Sequence, residues 1–404
     1  MNLLFVHQNF PGQFKHLAPA MARAGNQVTA MAIGGAGLPE IEMLRYKPAR
    51  GSSRDIHPYA LEFETKMIRG EACAQAAAQL KVSGFNPQVI IANPGWGESL
   101  FLKDVWPDAK MLLLLEFFYA ARGLDFDFDP EFARRALPAD ARLRAKNAHL
   151  LLALDGMDRG ICPTNFQRGT LPAAYQDRIE VIFDGIDTTT VRPDPAAQVS
   201  VNGRVLRAGD EIITFVNRNL EPMRGYHAFM RALPEMLRRR PKAVALIVGG
   251  DEVSYGAAPP PGKTWKQIYL DEVKDRLDLN RVLFTGRISY ADYLRVLQVS
   301  ACHVYLTYPF VLGWSCIEAM SAGCIVVGSA TPPVREVIEH GNNGLLADFF
   351  DKAGLAQTVV EVLETPARYA PLRIAARRTV EARYDLATHC LPRQMALIQS
   401  MVPA

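Results

Sequence analysis

Residues 310–327, with the sequence FVLGWSCIEAMSAGCIVV, join a glycine-bearing loop to a short apolar helix that carries one acid, Glu318. Gly313 permits a close approach of the backbone to a ligand. The first turn of a helix offers unpaired N–H groups and the positive end of the dipole, which suits a diphosphate. Glu318, one to two turns further on, is placed to accept hydrogen bonds from a ribose diol. The alternative is a core helix after a buried strand, with a solvated glutamate.

Two arginines in the segment ITFVNRNLEPMRG are candidates for holding the same anion. Arg218 follows the apolar strand residues, and Arg224 stands directly before Gly225 and the next predicted helix. Guanidinium groups bind phosphate through charge-assisted, often bidentate hydrogen bonds. Both arginines could instead be solvated loop residues, and that alternative stays open.

These motifs resemble the donor-binding elements of family 4 type (group 1) retaining glycosyltransferases. That family carries two glutamates eight positions apart; here Glu318 matches the second, and Phe310 stands in the place of the first, which in relatives contacts the transferred sugar. Arg218 matches the arginine of the family's GRL…KG element, and Arg224 stands where lysine is usual. The donor-binding residues that the resemblance implies are Gly12, Arg218, Arg224, Gly286, Arg287, Phe310, Gly313, Trp314, Ser315 and Glu318.

The segment RVLFTGRISYADY also resembles the family, where the backbone around Gly286 and Arg287 lies against the nucleotide base. Backbone recognition leaves little trace in side chains, so the identity of the base is poorly encoded. Tyr290 is a candidate for stacking on that base. We favour the alternative, in which residues 289–294 form a helix cap and its first turn.

The first half of the chain supplies the candidates for the acceptor side: His7, Glu116 and Tyr119. Glu116 follows an apolar strand, where a carboxylate with a raised pKa would orient or deprotonate an acceptor hydroxyl. The alternative is that Glu116 caps neighbouring backbone. His7, like His16, is more readily explained as a hydrogen-bonded structural residue. Gly12 would let its loop approach the donor, as the family's glycine loop does, although Pro-Gly is otherwise an ordinary turn.

Asp125, Asp127 and Asp129 in LDFDFDPEF contain the Asp-x-Asp pattern of metal-dependent transferases of another fold. In an extended segment the three carboxylates would share one face. Asp129 before Pro130 is, however, a good helix start. We therefore expect no metal and no cofactor, with Arg218, Arg224 and Glu116 as the catalytic residues.

Composition indicates a folded protein of more than one domain. The chain has 404 residues, 49% of them hydrophobic and 22% charged, and a net charge of +3. Single cores stop growing at roughly 250–300 residues, so two domains are expected. The small net charge implies no nucleic-acid partner. Scattered cysteines and the absence of a signal sequence predict a cytoplasmic protein.

Short continuous apolar runs alternate with helical segments in both halves, which is typical of parallel α/β sheets covered on both faces. The predicted strands are 3–6, 27–33, 89–92, 111–115 and 180–183, then 212–216, 243–248, 281–284, 302–306 and 324–327. Helices are predicted at 226–240, 266–276 and 382–401. We place Rossmann-like domains at 1–195 (acceptor side) and 196–381 (donor side). The resemblance implies the GT-B architecture, in which two such domains face a central cleft and the final helix, 382–404, crosses back to the first.

The predicted function is a retaining, metal-independent glycosyltransferase that uses a nucleotide-diphosphate sugar, UDP favoured over GDP, and a glycan, lipid-linked or other hydroxyl acceptor. The alternatives are a non-catalytic nucleotide-sugar-binding or scaffold protein of the same fold and a sugar-nucleotide epimerase or hydrolase. Peripheral membrane contact is a further alternative, because a basic stretch could meet anionic lipid or a phosphate-bearing acceptor. It comprises Arg134, Arg135, Arg142, Arg144 and Lys146.

Overall fold

The structure is a computed structural model that describes residues 1–133 and 137–402. It contains two compact units: Met1–Asp184 with the chain from Ala387 onward, and Gly185–Leu386. The sequence places these boundaries at 195/196 and 381/382. The observed division falls at 184/185 because the following residues bond within the second unit. Thr188 Oγ1 donates to Asp385 (2.6 Å), and Arg377 donates to the main-chain oxygen of Val191 (3.0 Å).

The strands of the first unit form a parallel sheet. They are β1 Asn2–Val6, β2 Gln27–Ala32, β3 Glu42–Arg45, β4 Val89–Ala92, β5 Lys110–Leu114, β6 Arg159–Cys162 and β7 Ile179–Val181. Their order in the sheet is β3-β2-β1-β4-β5-β6-β7. The apolar runs predict β1, β2, β4, β5 and β7. They miss β3 and β6, since β3 is only partly buried and β6 begins with an arginine and a glycine.

Helices cover both faces of this sheet. They are α1 Leu17–Arg23, α2 Leu61–Val82, α3 Leu102–Val105, α4 Asp125–Phe128, α5 Leu137–Lys146, α6 Ala148–Asp155, α7 Asn165–Thr170 and α8 Ala173–Gln176. Successive residues of a strand point to opposite faces. Leu4 and Val6 of β1 accordingly lie in one apolar core, while Leu3 and Phe5 lie in the other.

The second unit has its own parallel sheet and a small hairpin. Its strands are β8 Gln198–Val201, β9 Arg204–Arg207, β10 Ile212–Asn219, β11 Val244–Gly250, β12 Val282–Gly286, β13 Cys302–Tyr305, β14 Val326–Ser329 and β15 Leu345–Ala347. The sheet order is β12-β11-β10-β13-β14-β15, and β8 pairs with β9. Asn202 and Gly203, which both have positive φ, close that hairpin. The chain just after the predicted domain boundary at 195/196 thus contains a hairpin, because an Asn-Gly pair adopts such a turn at little cost.

The helices of the second unit are α9 Tyr226–Arg239, α10 Trp265–Val273, α11 Tyr290–Gln298, α12 Trp314–Ser321, α13 Pro332–Arg335, α14 Lys352–Glu364 and α15 Pro366–Arg383. After α15 the chain makes a π-helical turn, Leu386–Cys390, before α16, Leu391–Ser400. The prediction of one helix over 382–401 is therefore wrong in its bounds. Leu397 and Ile398 of α16 lie in the core of the first unit with Leu3 and Phe5.

The order of the second sheet decides where a ligand site can form. From β10 the chain proceeds outward through β11 and β12, and it then returns to β13 on the other side of β10. In sheets of this type, ligands bind beyond the carboxyl ends of the strands where the order reverses. The loops after β10 and β13 meet at that point, and they carry the motifs that the sequence singles out.

Candidate functional site

Arg224, in the loop after β10, is hydrogen-bonded to the loop after β13. Arg224 ends a short 3-10 turn and is buried. Its Nη1 donates to Thr307 Oγ1 and to the main-chain oxygen of Val311, both at 2.9 Å. A buried charge is costly unless it is hydrogen-bonded, and these bonds fix the direction of the guanidinium. Arg224 is therefore not a solvated loop arginine.

Arg224 also packs against two aromatic rings. Its guanidinium carbon lies 5.1 Å from the ring centre of Tyr255 and 5.5 Å from that of Phe310. The two ring centres are 5.3 Å apart. A cation within about 6 Å of a ring centre is attracted to it. Phe310 is only 4% exposed and Tyr255 is 48% exposed, so the residue that replaces the family's acid packs inward, and Tyr255 forms the exposed side of this group.

Glu221 holds the loop that carries Tyr255. Its Oε2 accepts the backbone N–H groups of Ser254 (3.3 Å), Tyr255 (3.2 Å) and Gly256 (3.0 Å). Glu221 is itself almost completely buried. Neither Glu221 nor Tyr255 is predicted from the sequence, because a glutamate and a tyrosine in loops are typically solvent-exposed, and only the fold brings them together.

Helix α12 begins where the sequence predicts, with Gly313 at its N-cap. The Gly313 N–H donates to the Tyr305 hydroxyl at 2.8 Å. A β-carbon at position 313 would lie 3.2 Å from that same hydroxyl oxygen, so the observed close approach is to Tyr305. Trp314 and Ser315 form the first turn, and an anion at this end of α12 would meet the amides from Trp314 onward.

The Glu318 carboxylate is held by two tyrosines of α11. Tyr290 donates its hydroxyl proton to Oε1 and Tyr293 donates to Oε2, each at 2.7 Å. Glu318 is 6% exposed, which overturns the interpretation of a solvated glutamate. Burial, reinforced by the Glu318 charge, raises the pKa of both phenols, so both remain hydrogen-bond donors at neutral pH.

The helix cap predicted at 289–294 is present: Ser289 Oγ accepts the Asp292 N–H at 3.1 Å. Tyr290 therefore begins a helix and also reaches Glu318. The spacing Tyr-x-x-Tyr was a signal that both rings share one helical face, but the identity of their partner depends on the packing of α11 against α12.

The remaining predicted donor residues of the second unit lie at the ends of β10 and β12. Arg218 is exposed at the end of β10 and has no partner among the described residues. Arg287 donates to Asn219 Oδ1 (3.1 Å) and pairs with Glu252. Gly286 has a φ of +68°, which favours glycine. Arg218 is thus available to an anion, whereas Arg287 already has protein partners.

In the first unit, His7 and Gly12 contact each other. Gly12 has a φ of +49°, and a β-carbon there would lie 2.3 Å from the His7 ring. His7 is buried beside Trp96, with 4.9 Å between the ring centres, and its Nδ1 accepts the Asn9 N–H at 3.0 Å. Burial lowers the pKa of His7 to about 4, so the ring is neutral at pH 7. His7 is therefore a buried structural residue, and position 12 is a glycine because a side chain there would overlap the His7 ring.

Glu116 lies just beyond β5 and accepts a hydrogen bond from Gln13 Nε2. Gln13 is oriented in turn by Asn93, whose Nδ2 donates to Gln13 Oε1 at 2.9 Å. Burial, followed by the negative charge of Asp184, raises the pKa of Glu116 above its ordinary value. Glu116 is therefore a carboxylate that is held by Gln13 and binds its proton more tightly than an exposed glutamate does.

Tyr119 is fixed by its backbone. Its N–H donates to Asn147 Oδ1 (3.0 Å), and Asn147 Nδ2 donates back to its carbonyl (2.7 Å). The Lys146 ammonium lies 3.7 Å from the centre of its ring. Of the basic stretch, Arg142, Arg144 and Lys146 belong to α5, while Arg134 and Arg135 lie outside the described residues. No helix in the described residues has the length and apolarity needed to cross a membrane.

The Asp-x-Asp segment is helical and not extended, so Asp125, Asp127 and Asp129 do not follow the two-residue repeat of a strand. Asp125–Phe128 form α4. Asp127 accepts the Gly123 N–H, and Asp129 accepts the Glu131 N–H, both at 2.9 Å. Helix start and turn bonds therefore account for Asp127 and Asp129. Asp125 is partly buried, which raises its pKa to about 6.

A doubly wound parallel sheet with a fixed arginine and a helix start at its switch point defines a Rossmann-like protein with a crevice suited to an anion. Residues 24–191 match the glycosyl transferase family 4 group, and residues 202–379 match the glycosyl transferases group 1 family. The chain belongs to these glycosyltransferases, as the motifs predict.

Two curated relatives illustrate the family. A GDP-mannose-dependent alpha-(1-6)-phosphatidylinositol monomannoside mannosyltransferase of Mycobacterium tuberculosis is 26% identical over 235 residues, which is 57% of this chain and 59% of the relative. A D-inositol 3-phosphate glycosyltransferase of Frankia alni is 28% identical over 221 residues, covering 52% of this chain and 51% of the relative. The chain thus matches only between half and two thirds of the length of these relatives.

Solved structures show the same fold over the whole chain. A sucrose-phosphate synthase from Thermosynechococcus elongatus gives a TM-score of 0.73 at 19% identity and covers 99% of both chains. Anabaena HepE, solved with UDP and glucose, gives 0.67 at 16% identity and covers 100% of both chains. The fold is therefore GT-B, as the resemblance implied.

Proposed function

We propose that this protein is a retaining glycosyltransferase that moves a sugar from a nucleoside diphosphate sugar to an acceptor hydroxyl. The observation that carries this proposal is the buried Arg224, whose guanidinium is fixed by Thr307 and Val311 at the carboxyl edge of the second sheet. A fixed cation beside a helix start is preorganised for a diphosphate, and it costs no reorganisation when charge develops.

Sugar transfer requires the departing diphosphate to be stabilised while positive charge grows at the anomeric carbon. Arg224 and the exposed Arg218 would neutralise the phosphates, and the amides at the start of α12 would donate to their oxygens. We propose that these groups, rather than a metal ion, carry the leaving-group charge. In a retaining reaction of this family the departing phosphate can accept the proton of the attacking hydroxyl, which leaves Glu116 to orient that hydroxyl.

The first experiment is a calorimetric titration of the purified protein with UDP, GDP and ADP. UDP and GDP are both included because HepE was solved with UDP, whereas the mannosyltransferase relative is GDP-mannose-dependent. The nucleotide that binds best is then offered as its sugar conjugates, and release of nucleotide is measured with and without hydroxyl acceptors. Acceptor-dependent release supports transfer, while acceptor-independent product formation indicates a hydrolase or epimerase.

Glu318→Ala tests the role of the carboxylate in donor binding. Loss of a hydrogen bond to a charged group should weaken nucleotide binding by about 1.5 to 3 kcal/mol. Glu361→Ala is the matched control, because Glu361 also accepts a tyrosine hydroxyl, from Tyr369 at 3.3 Å, but lies in α14. Equal nucleotide affinity of Glu318→Ala and the wild type would contradict the proposed role.

A second candidate is a nucleotide-sugar-binding protein without turnover. The observation that favours it is Phe310, which fills the place of the sugar-contacting acid and packs against Arg224. This candidate predicts tight nucleotide binding and no nucleotide release from any sugar conjugate, even with acceptors present.

A further inference from the structure

The hydrogen bonds to Glu318 form a symmetrical clamp. Tyr290 and Tyr293 stand three residues apart on α11, so their side chains share one face of that helix. Each phenol donates to a different oxygen of the same carboxylate, at equal distances of 2.7 Å. A single hydrogen bond would leave the carboxylate free to rotate about its last bond. Two bonds fix both the position and the plane of the group.

We propose that Tyr290 and Tyr293 are positioning residues that hold the Glu318 carboxylate for simultaneous bonds to the 2′- and 3′-hydroxyls of a ribose, and so make the site selective for ribonucleotides over deoxyribonucleotides. The inference rests on the proposed function, because it presumes that a nucleotide binds beside α12. It goes further by assigning the sugar selectivity of the nucleotide to two residues outside the motif that carries Glu318.

The capacity of the carboxylate permits this arrangement. An ionised carboxylate has about four lone-pair sites, and the two phenols occupy one on each oxygen. One lone-pair site on each carboxylate oxygen then remains. The two hydroxyls of a ribose diol can each donate to one of these sites. The tyrosines also restrict the rotamers of the Glu318 side chain before a nucleotide binds. Less conformational entropy is therefore lost on binding.

The exposures of the three residues fit this geometry. Glu318 is 6% exposed and Tyr290 is 50% exposed, while Tyr293 is partly buried. Tyr293 therefore supports the carboxylate from within, and Tyr290 stands at the rim. The competing explanation is a purely structural link between α11 and α12, which would affect stability without affecting the choice of sugar.

The test measures the affinities of UDP, GDP and ADP and of dUDP, dGDP and dADP for the wild type, Tyr290→Phe, Tyr293→Phe and the double variant. We expect the wild type to prefer the ribonucleotide. In the double variant the ratio of ribo to deoxyribo affinity should fall by about tenfold, which corresponds to ~1.4 kcal/mol. The fall should come mainly from weaker binding of the ribonucleotide, because the deoxyribonucleotide has only its 3′-hydroxyl to bond to the carboxylate and therefore loses less affinity.

Tyr369→Phe is the control, since it removes another tyrosine-to-glutamate hydrogen bond in the same unit, between α15 and α14. It should leave the ratio unchanged. Thermal unfolding of each variant reports folding, and the half-exposed position of Tyr290 keeps that single variant informative if Tyr293→Phe is unstable.

The outcomes separate the two proposals. If no nucleotide binds to the folded wild type, the proposed function fails. If a nucleotide binds but the wild type does not distinguish ribose from deoxyribose, or if the tyrosine variants keep the wild-type ratio, the positioning role is overturned while the proposed function survives.

Discussion

Arg224 and Phe310 stand where the family carries lysine and glutamate, so exchanging both residues tests how much the cation–π contact between them stabilises this protein. Four proteins are compared: the wild type, Arg224→Lys, Phe310→Glu and the double variant. The guanidinium carbon and the Phe310 ring centre are 5.5 Å apart, close enough for direct coupling.

Arg224→Lys keeps the charge but loses the planar group. A lysine ammonium cannot reproduce both the bond to Thr307 and the bond to Val311 while stacking on two rings. One lost hydrogen bond to a charged group costs about 1.5 to 3 kcal/mol. Weakened cation–π contact adds roughly 0.5 to 1 kcal/mol. We expect a loss of about 2 to 3 kcal/mol in the free energy of unfolding.

Phe310→Glu removes a ring that is 4% exposed. Its apolar burial contributes about 1.5 to 3 kcal/mol, and the cation–π contact is lost as well. The new carboxylate can pair with Arg224, but burying it here costs about as much as the pairing returns. The expected net loss is about 2 to 4 kcal/mol.

In the double variant, lysine and glutamate face each other and the cation–π contact is lost only once. The loss should therefore fall short of the sum of the single losses by about 1 to 2 kcal/mol. Urea unfolding of the four proteins measures this coupling, and Arg224→Lys combined with Tyr369→Phe serves as the remote control pair. Additive losses, within about 0.5 kcal/mol, would refute the reasoning.

Two further predictions concern pH. Burial lowers the pKa of His303 to about 4, so the unfolded chain binds this proton first as the pH falls. Stability should decrease between pH 6.5 and 4, by about 2 kcal/mol from pH 7 to 5 for this histidine, and urea unfolding of His303→Asn should show that much less pH dependence. Burial raises the pKa of Glu116, so the ionised carboxylate that would orient the acceptor hydroxyl forms only as the pH rises through that higher value. Glu116→Gln should lower turnover and abolish this acid limb without changing nucleotide affinity; an unchanged profile in the variant would rule out Glu116 as the titrating group.

The strands of both sheets show what periodicity can predict. Continuous apolar runs identify the central strands β1, β4, β10 and β11, because strands covered on both faces need apolar residues at every position. The strand β3 escapes detection, since it lies at the sheet edge with polar ends. The π-helical turn Leu386–Cys390 also lacks a signal, and it lies inside the single helix that is predicted over 382–401.

The candidate site likewise combines residues that the sequence predicts with residues that it does not predict. Arg224 follows from one short motif, and Gly313 and Glu318 follow from another, because the residues within each motif are close in sequence. Tyr255 and Glu221 lie in two different loops, and they come together only because β10 and β11 are neighbours in the sheet. Local spacing cannot encode such a contact.

The sequence by itself determined the class of fold, the family and the position of the helix start after Gly313, because each depends on apolar periodicity or on a short motif. Only the tertiary structure decided the state of the side chains. Phe310 is buried against Arg224, and burial keeps the His7 ring neutral. The Glu318 carboxylate is hydrogen-bonded to two tyrosines. The physical reason is that burial, charge and hydrogen-bond partners depend on which elements pack together, and residues far apart in the chain supply them.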